Sequence, residues 1–167
     1  MIRLARDEDL PVLRDIDRAA GKAVADIGMA VVAQDEPPSI ETLRTFQQDG
    51  RAWVSVDQDN QPVGYLIAEL IGDDAHIEQV SVHPDHRGGR LGLRLIEWVA
   101  EWARERGARA LTLTTFTEVA WNGPYYERCG FRELDESELT PGLRAVRAAE
   151  AAHGLDRWPR AAMRRDL

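Results

Sequence analysis

The sequence predicts a mixed α/β fold in which helices flank a central, mostly antiparallel sheet of about seven strands. Apolar residues follow strand-like and helix-like patterns in the order β, two helices, three strands, helix, strand, helix, strand, helix, strand. Short turn signals separate the three consecutive strands, which is typical of an antiparallel meander. The 167 residues have the size of one domain and contain no internal repeat or linker, so we expect a single domain over residues 1–167.

The first third of the chain predicts one strand and two helices. Residues 2–5 are strand-like, and Asp7 is placed to cap a helix that ends near Gly21. Residues 25–38 lose the apolar pattern and contain Pro-Pro, which indicates a loop. Ser39 is then placed to cap a second, short helix.

The rest of the chain predicts the meander, a long helix, and then alternating strands and helices. Apolar residues from Leu91 to Trp102, including Trp98, repeat at helical spacing up to Gly107, which suits a C-terminal cap. Another strand begins at Phe131. A capped, Ala-rich helix precedes the closing strand. The longer strand-like runs are residues 52–56, 63–71, 75–83, 111–116 and 161–167.

Composition and charge exclude several function classes. The formal net charge of -8 argues against a general nucleic-acid binder, because phosphate contacts need a basic face. Cys129 is the single cysteine, so no disulfide framework requires an oxidising compartment. The start of the chain lacks a secretory signal, and no run approaches the roughly 18 apolar residues of a membrane span. We expect a cytoplasmic protein without a membrane partner and without a metal, because its histidines lack ligand spacing.

A glycine- and arginine-rich turn joins the meander to the long helix in the stretch VSVHPDHRGGRLGLRLIEWV, residues 80–99. The first N–H groups of a helix lack partners within the helix, and the helix dipole adds positive potential, so such a turn can bind an anion. The alternative is that the glycines only shape a tight turn and the arginines are solvated. The residues that suit an anion site are Arg87, Gly88, Gly89, Arg90 and Gly92.

Two common phosphate-binding motifs do not fit this turn. A P-loop is excluded because no Gly-Lys-Ser or Gly-Lys-Thr follows. A dinucleotide-binding fold fits poorly, because GxGxxG is absent and the preceding strands read as a meander.

The turn and a downstream stretch together resemble the GNAT acetyltransferase superfamily. VSVHPDHRGGRLG is similar to the family's motif A, in which Arg/Gln-x-x-Gly-x-Gly/Ala follows a Val-x-Val-x-Pro strand and binds acetyl-CoA. NGPYYERCGF, residues 122–131, is similar to motif B, in which a tyrosine stands four residues before Gly-Phe. The middle glycine of motif A falls on Arg90. The Arg90 side chain either crowds the pyrophosphate of acetyl-CoA or points outward, while the Arg90 N–H still binds that pyrophosphate.

The resemblance implies that acetyl-CoA is the co-substrate and that its acetyl group passes directly to an amine in one bound complex. Lone Cys129 agrees with a route that has no acyl-enzyme, because no nearby histidine in the sequence is placed to activate it. Asn122 is expected either to contact CoA or to cap the motif B helix. The expected cofactor contacts are Val80, Ser81, Val82, Arg87, Gly88, Gly89, Arg90, Leu91, Gly92 and Asn122.

Two residues are expected to carry the chemistry. Glu78 lies on the strand before the turn, where many family members carry a glutamate that accepts the proton of the attacking amine; the alternative is a solvated sheet carboxylate. Tyr126, by its place in motif B, is expected to protonate the leaving thiolate, with Tyr125 as the alternative if the register shifts by one residue. The Val82 N–H is expected to polarise the thioester carbonyl.

The resemblance also indicates the acceptor side. Asp35 and Glu36 lie in the irregular stretch that lines the acceptor pocket in the family, where their charge would attract a cationic amine. The alternative is a solvated acidic loop. We therefore expect an N-acetyltransferase for a primary amine of a small molecule or peptide. The alternative is a non-catalytic acyl-CoA-binding or interaction module. A homodimer is possible, since Leu143, Val146 and Ala149 can form either a dimer face or a core edge.

Overall fold

The computed structural model describes residues 1–25, 37–117, 123–154 and 159–167, with the backbone alone for 23–25. No helix within these residues is both long and apolar enough to cross a membrane. The helices are α1 (Leu10–Ala25), α2 (Ile40–Gln48), α3 (Leu91–Glu105), α4 (Gly123–Arg128) and α5 (Pro141–Ala152). The strands are β1 (Ile2–Leu4), β2 (Ala52–Val56), β3 (Pro62–Ile71), β4 (Asp74–Val82), β5 (Ala110–Phe116), β6 (Arg132–Glu133) and β7 (Arg160–Asp166).

The strands form a seven-stranded sheet in the order β1-β2-β3-β4-β5-β7-β6. Antiparallel pairing joins β1 to β2, β2 to β3, β5 to β7 and β6 to β7. The pairing of β4 with β5 is parallel and places Ala75 opposite Leu111 and His76 opposite Thr112. The predicted fold class, a mixed α/β protein with a mostly antiparallel sheet of about seven strands and flanking helices, is confirmed.

The chain separates into two compact units. The first consists of Met1–Glu69 and Ile77–Val99, and the second of Leu70–His76 and Ala100–Leu167. Strand β4 therefore contributes its first residues to the second unit and its remaining residues to the first.

Apolar side chains of α1, α2, β2 and β3 form the core of the first unit. Leu10, Leu13 and Ile16 repeat at helical spacing on α1 and are buried, as the sequence predicts. Burial of each of these side chains stabilises the folded state by roughly 1.5–3 kcal/mol. The same cluster includes Ala5, Leu43, Phe46, Ala52, Val54, Val56, Tyr65 and Ile67.

A polar network joins α5 to the sheet in the second unit, where β5 pairs with β7 along its whole length. Glu150 of α5 accepts hydrogen bonds from Thr114 of β5 and, at 2.9 Å, from Arg160 of β7. The Arg160 guanidinium also lies 4.4 Å from the centroid of the Phe116 ring. The charge of Arg160 is therefore both paired and placed over an aromatic face.

Capping residues mark three helix boundaries that the sequence predicts. Ser39 accepts the N–H of Thr42 at 3.1 Å and begins α2. Gly107, with a φ of +75°, follows the end of α3. Thr140 accepts the N–H of Leu143 at 3.2 Å and begins α5.

Helix α1 differs from the prediction at both ends. Asp7 does not cap it, because Asp7 opens a short 3-10 turn in which Asp9 accepts the N–H of Arg6 at 2.8 Å. The helix then continues through Gly21, since one interior glycine costs only about 1 kcal/mol. Its last turn carries the exposed Lys22, the only lysine of the chain.

The exposure of two apolar helix residues, Trp98 and Leu143, bears on what the sequence predicts for them. Trp98 is 48% exposed, although its spacing places it with the apolar residues of α3; the buried neighbours are Leu95 and Val99. Leu143 is only 2% exposed. Of the two roles open to Leu143, the structure assigns it to the core, because its side chain is already covered by its own chain.

Candidate active site

The turn between β4 and α3 has a left-handed backbone at two residues. Gly88 has a φ of +88° and Arg90 a φ of +57°. A 3-10 turn at Pro84–His86 precedes them, and the His83 N–H donates to the Val63 carbonyl at 2.9 Å. The sheet therefore holds one end of the turn and the helix holds the other.

Arg90 adopts the backbone conformation that glycine adopts most easily, at a cost of roughly 1–2 kcal/mol. Its side chain is exposed, and its carbonyl accepts the N–H of Arg94 at 3.0 Å, the first hydrogen bond of α3. The departure from motif A thus leaves a glycine-like turn with an arginine side chain in solvent.

Helix α3 presents its first N–H groups at this turn. The N–H groups of Leu91, Gly92 and Leu93 precede the first intrahelical hydrogen bond and have no acceptor inside the helix. Arg87 and Gly89 beside them are exposed. Backbone donors, the helix dipole and cationic side chains thus share one surface, which is an arrangement suited to a phosphate or diphosphate.

Strand β4 carries the predicted base, Glu78, and three of the predicted cofactor contacts, Val80, Ser81 and Val82. Glu78 is exposed, and Val80 and Val82, which follow it at spacing two, are partly buried. Ser81 is buried, and its hydroxyl donates to Oδ1 of Asp17 at 2.6 Å. The Ser81 hydroxyl is therefore hydrogen-bonded within the chain, so a cofactor contact at this position would involve the Ser81 backbone.

Three donors from the sheet meet the carboxylate of Asp17 on α1. The Ser81 hydroxyl and the Gln79 amide, at 3.0 Å, donate to Oδ1. The Tyr65 hydroxyl donates to Oδ2 at 2.7 Å. All four residues belong to the first unit, and Asp17 itself is partly exposed whereas Tyr65 is fully buried.

Burial dominates the electrostatics of this cluster. It raises the pKa of Asp17 above the usual carboxyl value, although the hydrogen bonds from Ser81, Tyr65 and Gln79 favour the carboxylate. Burial, together with the Asp17 charge, also raises the pKa of Tyr65 well above its usual value. Tyr65 therefore remains a donor at neutral pH.

Sequence reasoning did not identify Asp17, although a weak signal exists. Asp17 follows the buried Leu13 by four residues and thus lies near the inner face of α1. Gln79 and Ser81 alternate with exposed Glu78 on β4. Polar residues at inward positions of two elements indicate a buried polar contact, but not which residues meet.

The Tyr-x-x-x-Gly-Phe spacing of motif B forms a Schellman cap at the end of α4. Gly130, with a φ of +95°, donates its N–H to the Glu127 carbonyl at 3.0 Å. The Phe131 N–H donates to the Tyr126 carbonyl at 3.0 Å, and the two rings meet edge to face with centroids 6.0 Å apart. The spacing therefore holds Tyr126 by both its backbone and its ring.

Tyr126 is buried, with 8% of its surface exposed. Its ring lies edge to face against Tyr125, with centroids 5.2 Å apart. Burial raises the pKa of Tyr126, and Tyr125 and Cys129 add to the shift. Its phenol therefore stays protonated at neutral pH. Tyr125 is partly exposed and Cys129 is buried.

The remaining predicted site residues, Asp35, Glu36 and Asn122, lie outside the described residues. Of the described ones, Glu78, Val80 to Val82 and the turn belong to the first unit, and Tyr126 belongs to the second.

Sequence comparison matches most of the chain to one protein family. The sequence model described as the acetyltransferase (GNAT) family matches residues 16–131. Peptidyl-lysine N-acetyltransferase YjaB of Escherichia coli (strain K12) is 28% identical over 99 residues, which are 59% of this chain and 61% of that protein. Streptothricin acetyltransferase of Streptomyces lavendulae is 33% identical over 110 residues, covering 64% of this chain and 56% of the relative.

Other relatives are matched over a smaller share of their length. The chain spans 48% of a probable N-acetyltransferase, camello, of Xenopus tropicalis, at 30% identity over 107 residues, or 62% of this chain. The chain thus spans about half to three-fifths of the length of these curated relatives.

Solved structures share the fold over the whole chain. An acetyltransferase of the GNAT family from Staphylococcus aureus Mu50 has a TM-score of 0.76 at 15% identity, with 100% of this chain and 98% of that chain covered. Rv2747 of Mycobacterium tuberculosis, in complex with CoA and NLQ, has a TM-score of 0.72 at 20% identity, with 100% and 99% covered. Because the family match includes the β4 turn and the capped α4 helix described above, this chain belongs to the GNAT acetyltransferase family.

Proposed function

We propose that the protein is an acetyl-CoA-dependent N-acetyltransferase acting on a primary amine of a small molecule or peptide. The observation that carries the proposal is the turn before α3, where left-handed Gly88 and Arg90 lie next to the free N–H groups of the helix. This surface suits the pyrophosphate of CoA. Family membership supports the choice of acetyl-CoA over other phosphate ligands. So does fold similarity to PaiA N-acetyltransferase from Thermoplasma acidophilum in complex with coenzyme A, at 14% identity and a TM-score of 0.71.

In the proposed reaction, the backbone from Val80 to Val82 pairs with the pantetheine arm, and the Val82 N–H polarises the thioester carbonyl. Glu78, directly or through a water, takes one proton from the ammonium group. The amine nitrogen then attacks, a C–N bond forms and the C–S bond breaks. The Tyr126 hydroxyl donates its proton to the departing thiolate and regains one from the acetylated nitrogen.

The acceptor class includes both peptides and small molecules. One relative is named for peptidyl lysine and another for streptothricin, so the family match supports both. Asp35 and Glu36 are proposed to attract the cationic acceptor, and Asn122 to contact CoA. A homodimer and a cytoplasmic location stay predictions.

A non-catalytic acyl-CoA-binding module is the competing function. It would use the same turn before α3 but would need neither Glu78 nor Tyr126. The presence of both residues, and the transferase names of the relatives, favour the enzyme.

Calorimetric titration with acetyl-CoA, CoA and ATP tests the proposed site. We expect micromolar binding of acetyl-CoA and CoA and much weaker binding of ATP, because the turn and β4 together recognise more than a phosphate. Thiol release with a panel of primary amines then tests transfer. Glu78→Gln is expected to keep acetyl-CoA binding and to lower turnover about 100-fold or more. Absence of acetyl-CoA binding would reject the site; binding without turnover of any amine would favour the module.

A further inference from the structure

Gly64 lies inside β3, in a buried part of the strand. A glycine there weakens the strand, because it adds conformational entropy to the unfolded chain and offers no side chain for packing. The backbone of Gly64 does not itself require glycine, because its φ lies outside the left-handed region that other residues avoid. The reason for glycine at this position is therefore what a side chain would meet.

A Cβ atom on residue 64 would stand against the backbone of β4. Three atoms would lie close to it: the Ser81 carbonyl oxygen at 3.1 Å, Val82 Cγ2 at 3.4 Å and Leu95 Cδ1 at 3.6 Å. The last two atoms are the ends of side chains, which can move, whereas the Ser81 oxygen belongs to the backbone. At 3.1 Å the carbonyl of Ser81 would have to shift by a few tenths of an ångström. All four residues belong to the first unit.

The Ser81 carbonyl shares one planar peptide unit with the N–H of Val82. In a trans peptide the C=O and the N–H point in opposite directions, so the Val82 N–H faces away from β3. Because the unit is planar and rigid, the two groups move together. The proposed reaction uses the Val82 N–H to polarise the thioester carbonyl, so a displaced Ser81 oxygen would misdirect this donor.

We infer that Gly64 is a positioning residue: without a Cβ atom, it lets the Ser81–Val82 peptide take the orientation in which the Val82 N–H reaches the thioester oxygen. The inference rests on the proposed function and adds to it a residue of β3, a strand that supplies no group to the proposed reaction. A donor of this kind acts at about 2.7–3.1 Å from the oxygen. A shift of a few tenths of an ångström is therefore enough to weaken it.

The competing explanation is packing alone. Gly64 would then only make room for the side chains of Val82 and Leu95, or for the irregular pairing of β2 with β3, where the register shifts after Ser55 opposite Gly64. Replacement of such a glycine would change stability but not the polarisation of a bound thioester. Removal of the Val82 side chain would relieve part of this crowding, whereas it cannot relieve the contact with the Ser81 carbonyl.

The test is isotope-edited infrared spectroscopy of the full chain with bound acetyl-CoA, with and without ¹³C at the acetyl carbonyl. A donor that polarises the thioester moves its carbonyl stretch to lower wavenumber, and the measurement needs no acceptor amine. The variants are Gly64→Ala, Val82→Ala and the double variant, and calorimetry measures the acetyl-CoA affinity of each. Ile67→Val is the matched control, because Ile67 is a buried core residue of the same strand and its replacement adds no atom.

We expect the wild type and Ile67→Val to lower the wavenumber of the bound carbonyl equally, relative to free acetyl-CoA. Gly64→Ala should lose about half of this shift or more, with turnover about 10-fold lower and acetyl-CoA affinity changed by less than about 3-fold. The double variant should lose the same part of the shift relative to Val82→Ala. It also carries the test if Gly64→Ala alone does not fold.

Two results would assign Gly64 a packing role and overturn the inference: an unchanged shift in Gly64→Ala, or recovery of the shift in the double variant. Loss of acetyl-CoA binding in both variants would also overturn it, since Gly64 would then serve the binding site as a whole. A wild type that binds acetyl-CoA without a shift would reject the inference and keep the cofactor site. A wild type that does not bind acetyl-CoA would reject the proposed function together with the inference.

Discussion

Gly123 lies directly against the backbone of Thr117: a Cβ atom on residue 123 would stand 2.9 Å from both the Cα and the carbonyl oxygen of Thr117. Cβ atoms in proteins essentially never come this close to another heavy atom. The Thr117 atoms belong to the backbone, so they cannot rotate away as the end of a side chain could. Because Gly123 is the first residue of α4, this contact sets where the helix that carries Tyr126 begins.

Gly123→Ala is therefore expected to lower the free energy of unfolding by about 1–3 kcal/mol, because backbone must move to admit the methyl group. Urea unfolding followed by circular dichroism measures the change. Gly89→Ala is the control for stability, since its Cβ would meet nothing closer than 3.7 Å, and it should change by less than about 1 kcal/mol. Equal stability of the two variants would contradict the close approach.

Arg90 is expected to contribute charge to acetyl-CoA binding without shaping the turn. Arg90→Gly and Arg90→Asn both suit a left-handed backbone, so each should fold with a stability within about 1 kcal/mol of the wild type. Each should weaken acetyl-CoA binding about 5- to 10-fold at low salt and less at high salt, since exposed charges are screened.

Calorimetry at two salt concentrations measures this effect. Arg104→Ala removes one exposed charge at the other end of α3 and should leave binding unchanged. Tighter binding by Arg90→Gly would instead mean that the arginine crowds the pyrophosphate.

His76 is expected to make the fold less stable in mild acid. Its Nδ1 lies 2.8 Å from the Thr112 hydroxyl, and burial lowers its pKa to about 4. In the unfolded chain the imidazole takes up a proton near pH 6.5, so the unfolded state binds more protons between these values. The contribution is thus fully present above pH 6.5 and is lost, by up to about 3 kcal/mol, as the pH falls to about 4.

Urea unfolding at pH 7.5, 6 and 5 measures this loss, with His76→Gln as the variant. The glutamine variant should be less stable at neutral pH but should have a flatter pH profile. His153→Gln, at an exposed position, should keep the slope of the wild type. Parallel profiles for the wild type and His76→Gln would disprove the neutral buried imidazole.

Tyr126→Phe is expected to lower turnover about 10- to 100-fold and to leave acetyl-CoA binding unchanged, because the phenol acts only on the developing thiolate. The matched control is Tyr125→Phe, which removes the hydroxyl from the adjacent and more exposed ring and should have little effect. Burial raises the pKa of Tyr126, so turnover by the wild type should not fall between pH 7 and 9 through this group. A larger loss in Tyr125→Phe would exchange the two roles.

The fold was largely predictable because local signals agree with the tertiary structure. Ser39, Gly107 and Thr140 mark helix ends through hydrogen bonds that involve only neighbouring residues. The end of α1 was not predictable in this way. Gly21 adopts a helical conformation, and nothing in the local sequence distinguishes a glycine inside a helix from one that ends it.

The candidate site was predictable where it consists of contiguous sequence. The turn before α3 and the cap of α4 each lie within a single motif. The Asp17 cluster was not predictable, since it joins α1, β3 and β4 through contacts between residues 48 to 64 positions apart. The left-handed conformation of Arg90 was equally hidden, because arginine gives no local indication of a positive φ.

The single lysine on α1 has a practical consequence for labelling experiments. Arginine side chains stay protonated and are not nucleophiles toward a thioester. During incubation with acetyl-CoA, these 167 residues therefore offer one side-chain amine, Lys22, for self-modification. The intact mass of the protein then gives a simple background, against which transfer to an added peptide or protein can be read without mapping many modified sites.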